Sequence, residues 1–314
     1  MIRLLAARFA QSILTLWLVT VLYFLVVETA PGDFAVMTAG QSTTQEMMEE
    51  TRRELGLDAG VIERYVSWLT AALHGDLGMS WWGRQPVTSL VLERLGNSLF
   101  LVFWAVLVTV PLSLVISIAA VMNPQGRIDR ALSFLTLSVM SVPEFVVAYM
   151  VMFFLAVELN LFPAYTMHAL DLPFWERLYA CVLPVLSLIF VTVTPMFRLT
   201  RAALLRILDS DYIEMAELKG LSRRRIMVAH AFPNAIGPIS NATVLSLANL
   251  FFGLVIIEIV YSYPGLGTLL VQAVRVHDMP LALGCGIISA VIIIALNFLA
   301  DSASILTNPR LRYR

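Results

Sequence analysis

The sequence predicts an all-α integral membrane protein with six transmembrane helices and both chain ends on the same side of the membrane. Three observations carry that prediction. Apolar residues make up 59% of the chain and charged residues only 14%, with a mean hydropathy of +0.82, whereas soluble domains carry roughly 25% charge. The apolar residues are gathered into six runs, each long enough to cross about 30 Å of hydrocarbon as a helix. The basic residues are also unevenly shared between the loops. Placing the N-terminus inside puts about fourteen of the twenty-one Lys and Arg on the inner side, as the positive-inside bias requires.

Arg3 and Arg8 precede the first run, residues 9–27. A signal peptide would also start this way, but the run is long for one and no clear small-x-small cleavage site follows, so it reads as a retained span. Residues 28–96 form the longest aqueous stretch. Residues 43–55 are polar and charged, and Ile62, Tyr65, Val66, Leu69 and Leu73 then recur at helical spacing over a segment too short to span. Trp68, Trp81 and Trp82 suit a membrane–water interface, although a small domain packing on itself fits the same pattern. Five further spans are expected at 98–121, 131–157, 179–198, 235–261 and 281–306. Pro111, Pro143, Pro184, Pro195 and Pro238 interrupt them, which a helical bundle tolerates because neighbours satisfy the freed carbonyls.

Between the fourth and fifth spans lies a segment too charged for hydrocarbon, with Asp209, Asp211, Glu214, Glu217, Lys219 and Arg223–Arg225. Asp211 and Glu214 have capping-box spacing. Tyr212, Met215 and Ala216 fall on one helical face, and Gly220 stands where a left-handed cap would end a short helix. Ser222 is placed to start a second helix, which Pro233 would close. The expectation is a helix–glycine–helix elbow on the inner side.

That elbow resembles the cytoplasmic signature of bacterial ABC importer permeases, E-A-A, three residues, G, nine residues, I-x-L-P. Glu214-Met215-Ala216, Gly220 and Phe232-Pro233 meet it, while Met215 and His230 depart from it. A finer pattern is similar to the dipeptide/oligopeptide/nickel permease family, through Asp211, Tyr212, Ala216, Lys219, Gly220, Leu221, His230, Ala231, Asn234, Ala235 and Pro238. The likeness extends beyond the elbow, to P-G-D at 31–33, L-G-L-D at 55–58, G-D-L-G at 75–78, L-E-R-L at 92–95, P-G-L-G at 264–267, Asp278-Met279-Pro280 and Asn308-Pro309-Arg310.

The resemblance implies the type I ABC importer permease fold. Residues 1–96 would form the first helix and a periplasmic region, and 97–306 a five-helix core with a coupling loop at 199–234. Residues 307–314 would be a cytoplasmic tail. It implies a bacterial inner-membrane protein that forms a translocation path with a second, homologous permease. Two cytoplasmic ATPase subunits and a periplasmic or lipid-anchored binding protein complete the assembly, with membrane lipids around it. Asp211, Tyr212, Glu214, Ala216, Lys219, Gly220 and Pro233 would couple this chain to the ATPases, residues 211–219 forming the coupling helix. Dipeptides or oligopeptides are the default cargo, and relatives carry nickel chelates, opines or oligosaccharides.

Read from the residues alone, the chain carries no catalytic constellation. Its single lysine, Lys219, precedes Gly220 rather than following a glycine and preceding Ser or Thr, so no Walker A site exists here; if transport is ATP-driven, as the resemblance implies, ATP and Mg belong to partner subunits. Cys181 and Cys285 read as packing residues, and His74, His168, His230 and His277 are too scattered for a metal site. Met140, Met150, Met152 and Met196 likewise read as packing rather than a metal path. No basic domain invites nucleic acid. Glu144, Glu258 and Asp301 stand within apolar spans, where ionisable groups are functional candidates. Glu144 follows Pro143 and is a candidate for the path or for a structural hydrogen bond. Glu258 lies near the end of its helix, as a gate or a structural residue. A secondary transporter or channel would call for inverted repeats and a buried ion-coupling site, and a membrane enzyme for a catalytic motif. The sequence displays none of these.

Overall fold

A computed structural model describes residues 2–29 and 59–307. The P-G-D, L-G-L-D and N-P-R motifs and the polar stretch 43–55 lie outside the described residues. Within them the regular structure is helical, apart from one antiparallel bridge between Met79 and Pro86. Five helices are long and apolar enough to cross a membrane: α1 (Ile2–Thr29), α3 (Val87–Val121), α7 (Val182–Leu208), α9 (Arg223–Val260) and α11 (Met279–Thr307). A sixth arises if the bent pair α4 (Arg127–Met140) and α5 (Glu144–Met152) is taken as one span. Shorter helices are α2 (Val61–Leu73), α6 (Phe174–Ala180), α8 (Asp211–Leu218) and α10 (Leu266–Arg275).

The third predicted span is therefore not a single rod. α4 and α5 meet at 102°. Ser141 and Val142 still close the last turn of α4 through bonds to Leu137 and Val139, but Pro143 has no N–H and pushes the residue before it out of the helical region. Pro143 then takes the N-cap of α5 with ψ 143°. Beyond Met152, α5 widens into an i→i+5 turn over Phe153–Glu158.

The helix after the elbow also differs from expectation. Pro233 does not close it, since α9 runs through to Val260. The backbone widens to i→i+5 bonding over Ile226–Ala231, immediately before the proline. That extra residue per turn relieves the clash a proline ring makes with the preceding turn.

The chain divides into two compact units. Of the described residues, one takes in those up to Ser12, Leu99–Tyr263 and those from Ile293, and the other takes in those between Ile13 and Ser98 together with Pro264–Ile292. In the first, α7 is the inner helix, with 61% of its most apolar window buried, against 11% for α1. Leu183, Leu188, Leu250, Leu254, Ile257 and Tyr261 form one core there, and Leu204, Ile213, Ile226, Met227 and Ala235 a second. The other unit is built on Leu77, Val87, Val91, Leu266, Leu269 and Cys285. Both cysteines are buried and unpaired.

Large apolar side chains remain uncovered over much of the surface, Phe103, Phe134, Phe153 and Leu107 among them. In water each would forfeit about 1.5–3 kcal/mol relative to burial. Against lipid tails that penalty vanishes, so this surface is matched to hydrocarbon. α2 turns Tyr65 and Trp68 towards Phe24 of α1, with ring centroids 5.3 and 6.2 Å apart, and the Tyr65 hydroxyl lies 2.8 Å from that of Thr20. Ile62 and Leu73 of the same helix stay exposed. The apolar stripe read from the sequence thus divides between contact with α1 and an open flank.

Candidate functional site

The elbow is built from α8 and the start of α9. Ser210 rather than Asp211 occupies the N-cap of α8, with extended backbone and no side-chain cap bond. Its hydroxyl is engaged by the carbonyl of Ile207. The capping box is therefore not formed. Asp211 and Glu214 instead place two carboxylates in the first turn, where the positive helix terminus favours them. At the other end Lys219 is the C-cap and Gly220 adopts φ +75°. The Gly220 N–H donates to the Glu217 carbonyl at 2.8 Å and the Leu221 N–H to that of Ala216 at 3.2 Å. These are the paired bonds of a Schellman cap.

The face of α8 that packs is Ile213 and Ala216, buried among Leu204, Ile226, Met227 and Ala231. Tyr212 and Met215, expected to share a face with Ala216, are exposed, as are Leu218, Asp211, Glu214 and Glu217. Packing follows Ile213 because it is the residue one turn before Ala216 that both fills the core and carries no polar atom. The outward face of α8 thus presents Met215 and Leu218 beside two acids. Ser222 caps α9 through its backbone conformation, with Arg223, Arg224 and Arg225 exposed in the first turn.

A buried ion pair lies in the same unit. Asp129, 2% exposed, receives two parallel hydrogen bonds from Arg201 of α7, at 2.6 and 2.7 Å. The Gln125 N–H adds a third at 2.8 Å, and the Ser133 hydroxyl lies at 3.4 Å. Neither residue was singled out in the sequence. Asp129 falls between the expected spans 98–121 and 131–157, and its partner is seventy-two positions away.

Glu144 begins α5 at the break and lines a cleft of about 330 Å³. Val139, Met140, Thr192, Pro195, Ser246 and Asn249 are among the other walls. Its carboxylate lies over Gly253 of α9, where an added Cβ would sit 2.7 Å from Oε2. Glu258 is fully buried near the end of α9, and its backbone carbonyl accepts from the Tyr263 N–H at 2.8 Å. Around it, the Tyr261 hydroxyl bonds to the Ala148 carbonyl at 3.0 Å and meets that of Ser187 at 2.9 Å. Glu144 and Glu258 therefore occupy different places, one at a cleft and one in packed core. Asp301 pairs with Arg8 at 3.3 Å, both half-exposed.

In the other unit, Asp278 is fully buried. It accepts from the Ser80 hydroxyl at 2.6 Å, the Trp82 N–H at 3.0 Å and the Leu281 N–H at 3.2 Å. One carboxylate so caps α11 and anchors the 80–82 turn. The P-G-L-G turn is held similarly, by Asn97 on the Pro264 carbonyl and the Leu266 N–H on Ser98.

Comparison with known proteins agrees with this architecture. The model of the binding-protein-dependent transport system inner membrane component matches residues 110–313, and that of its N-terminal region matches residues 1–102. A putative peptide transport system permease protein of Brucella abortus (strain 2308) is 33% identical over 315 aligned positions, covering 100% of each chain. The glutathione transport system permease protein of Pectobacterium atrosepticum is 31% identical, and the oligopeptide transport system permease protein of Bacillus subtilis 28%, each over 98% of both chains. With both family models covering nearly its whole length and five or six candidate spans among its described residues, this chain belongs to the family of inner membrane components of bacterial binding-protein-dependent transport systems.

Proposed function

We propose that this chain is one of two homologous permease subunits of an ATP-driven importer of peptides. The outward face of α8 carries this reading. Met215 and Leu218 flanked by Asp211 and Glu214 form a small apolar surface with an acidic edge, on a helix whose back is fastened to the bundle by Ile213 and Ala216. Such a helix seats in a cleft of an ATPase and passes on its closure as a rigid-body movement. Asp211, Tyr212 and Glu214 offer the contact, Lys219 and Gly220 set the end of the helix, and Pro233 follows the widened turn Ile226–Ala231 within α9. ATP and Mg are held by two cytoplasmic ATPase subunits, and a periplasmic or lipid-anchored binding protein delivers cargo from the other side. Peptides are the cargo proposed because relatives along the full length are named for peptide, oligopeptide and glutathione transport. Glu144 lines the path, and Glu258 steadies the end of α9 as part of the gate.

Two experiments test this. Purified from native membranes, the chain should bring with it a second permease, two ATPase chains and a binding protein, and the complex in liposomes should import a tripeptide. The chain alone should neither bind nor hydrolyse ATP. Saturable ATP turnover by a preparation containing this polypeptide only, checked by mass spectrometry, would sink the proposal.

Orientation is tested separately, in a background with Cys181 and Cys285 replaced by alanine. Arg84→Cys should react with an impermeant maleimide on intact spheroplasts and Ser222→Cys should not, both positions being exposed on the protein. The reverse pattern would put α8 on the wrong side for an ATPase.

A further inference from the structure

We infer that the cleft at the α4–α5 break is a binding site for a protonated amine, the ammonium group of the cargo during its passage. The inference rests on the peptide-importer reading and adds to it the chemistry recognised. Glu144 is the one ionisable group among the cleft-lining residues. Among the described residues no side chain hydrogen-bonds to it or pairs with it, so its charge is unanswered between the two halves of a broken span. An unpaired carboxylate at membrane depth is costly, and the N-terminus of α5, where Glu144 is the first residue, offers it only the partial positive charge of a helix end rather than a counter-ion.

The surroundings are those of a cation site. Thr192, 3% exposed, lines the same cleft, and its hydroxyl is buried with no hydrogen-bond partner among the described residues. Asn249 lines it too, with an exposed side chain. These residues offer a carboxylate, a hydroxyl and an amide oxygen, which are the acceptors a three-donor ammonium needs. Gly253 keeps the carboxylate where it is, since a methyl there would come within 2.7 Å of Oε2. Met140, Val142, Val147, Leu250 and Phe252 supply apolar walls, and the volume of about 330 Å³ is at the small end of ligand cavities. It is suited to one terminal residue rather than a whole chain. No basic residue is among the lining residues, and the described cation at the rim, Arg198, is turned onto the Met140 sulfur at 3.2 Å.

The test uses the complete complex in lipid nanodiscs, with Cys181 and Cys285 replaced by alanine and Val139→Cys, an apolar wall position, as the reporter. Alaninamide at millimolar concentration should slow alkylation of the reporter by a small maleimide at least five-fold, and N-acetylalaninamide, which lacks the charge, should not at equal ionic strength. Protection by both probes alike, or by neither, overturns the inference. In liposomes with the native residue at 139, Glu144→Gln should lower trialanine uptake at least ten-fold and Glu144→Asp should restore a third or more of it. Both variants should still insert and co-purify with the second permease and the ATPase chains, which a merely misfolded permease would not do. Unchanged uptake by Glu144→Gln also overturns the inference, while leaving the peptide-importer reading intact. Failure of the wild-type complex to import any peptide removes that reading instead, and it is detected before any variant is made.

Discussion

Gly220→Val and Glu214→Arg should each uncouple transport while leaving the permease in the membrane and able to dock its binding protein. Gly220 holds φ +75°, and a Cβ added there would touch nothing within 4 Å. The penalty is thus confined to the backbone, about 1–2 kcal/mol for a left-handed L-residue and more for a β-branched one. That is enough to open the two capping bonds to Ala216 and Glu217 and let the end of α8 fray, without disturbing the core beneath. Gly220→Asn, which tolerates this conformation, should keep most of the activity. Glu214→Arg acts differently. It leaves α8 folded and reverses a charge at the proposed ATPase contact, where like charges brought together cost several kcal/mol. ATP hydrolysis with and without loaded binding protein, and a pull-down of the ATPase, read both variants. We expect stimulation to fall by about ten-fold or more, the effect of losing 1.4 kcal/mol or more at the contact. Wild-type stimulation and uptake in both would reduce α8 to an ordinary loop helix.

The second large effect is expected at Asp129 and Arg201. Removing one partner of a buried pair leaves a charge without its counter-ion and costs about 3–5 kcal/mol. The two ends are not equivalent. Asp129 is 2% exposed, whereas the Arg201 side chain is 27% exposed. Arg201→Met therefore strands a carboxylate that water cannot reach, while Asp129→Asn leaves a guanidinium that can turn to solvent and an amide oxygen that still accepts from Gln125. Arg201→Met should lower the unfolding midpoint of the solubilised protein clearly more than Asp129→Asn, and the double variant should recover most of the loss. Equal or negligible shifts would show that the pair contributes little and that α4 and α7 are held together by apolar packing alone.

Much of the elbow was legible in the sequence. Charge marked its limits, and Gly220 marked the end of α8 because only a residue tolerant of φ > 0 closes a Schellman cap cheaply. The face of the helix was misread. Tyr212 and Met215 share helical spacing with Ala216, but Ile213 shares it too, and spacing alone does not say which of two apolar rows meets a neighbour. Pro233 was read as a terminator, since proline breaks an ideal α-helix. The widened turn over Ile226–Ala231 absorbs it, and local sequence carries no mark of that change in hydrogen bonding.

By composition and periodicity alone this chain is a bundle of membrane helices with one charged elbow, because apolar runs of spanning length and a cluster of charges each have one stable environment. Its lone lysine likewise excludes a Walker A site without reference to shape. Three things needed the tertiary structure. The 102° turn at Pro143 depends on where α5 finds its packing partners, and a proline sets only that a break occurs. The Asp129–Arg201 pair joins residues seventy-two apart, a distance over which spacing carries no signal. The open carboxylate of Glu144 depends on the neighbouring helix presenting Gly253 at that level. Local patterns decide which segments are helices and where they end, whereas contacts between distant segments decide which faces are buried and which charges are answered.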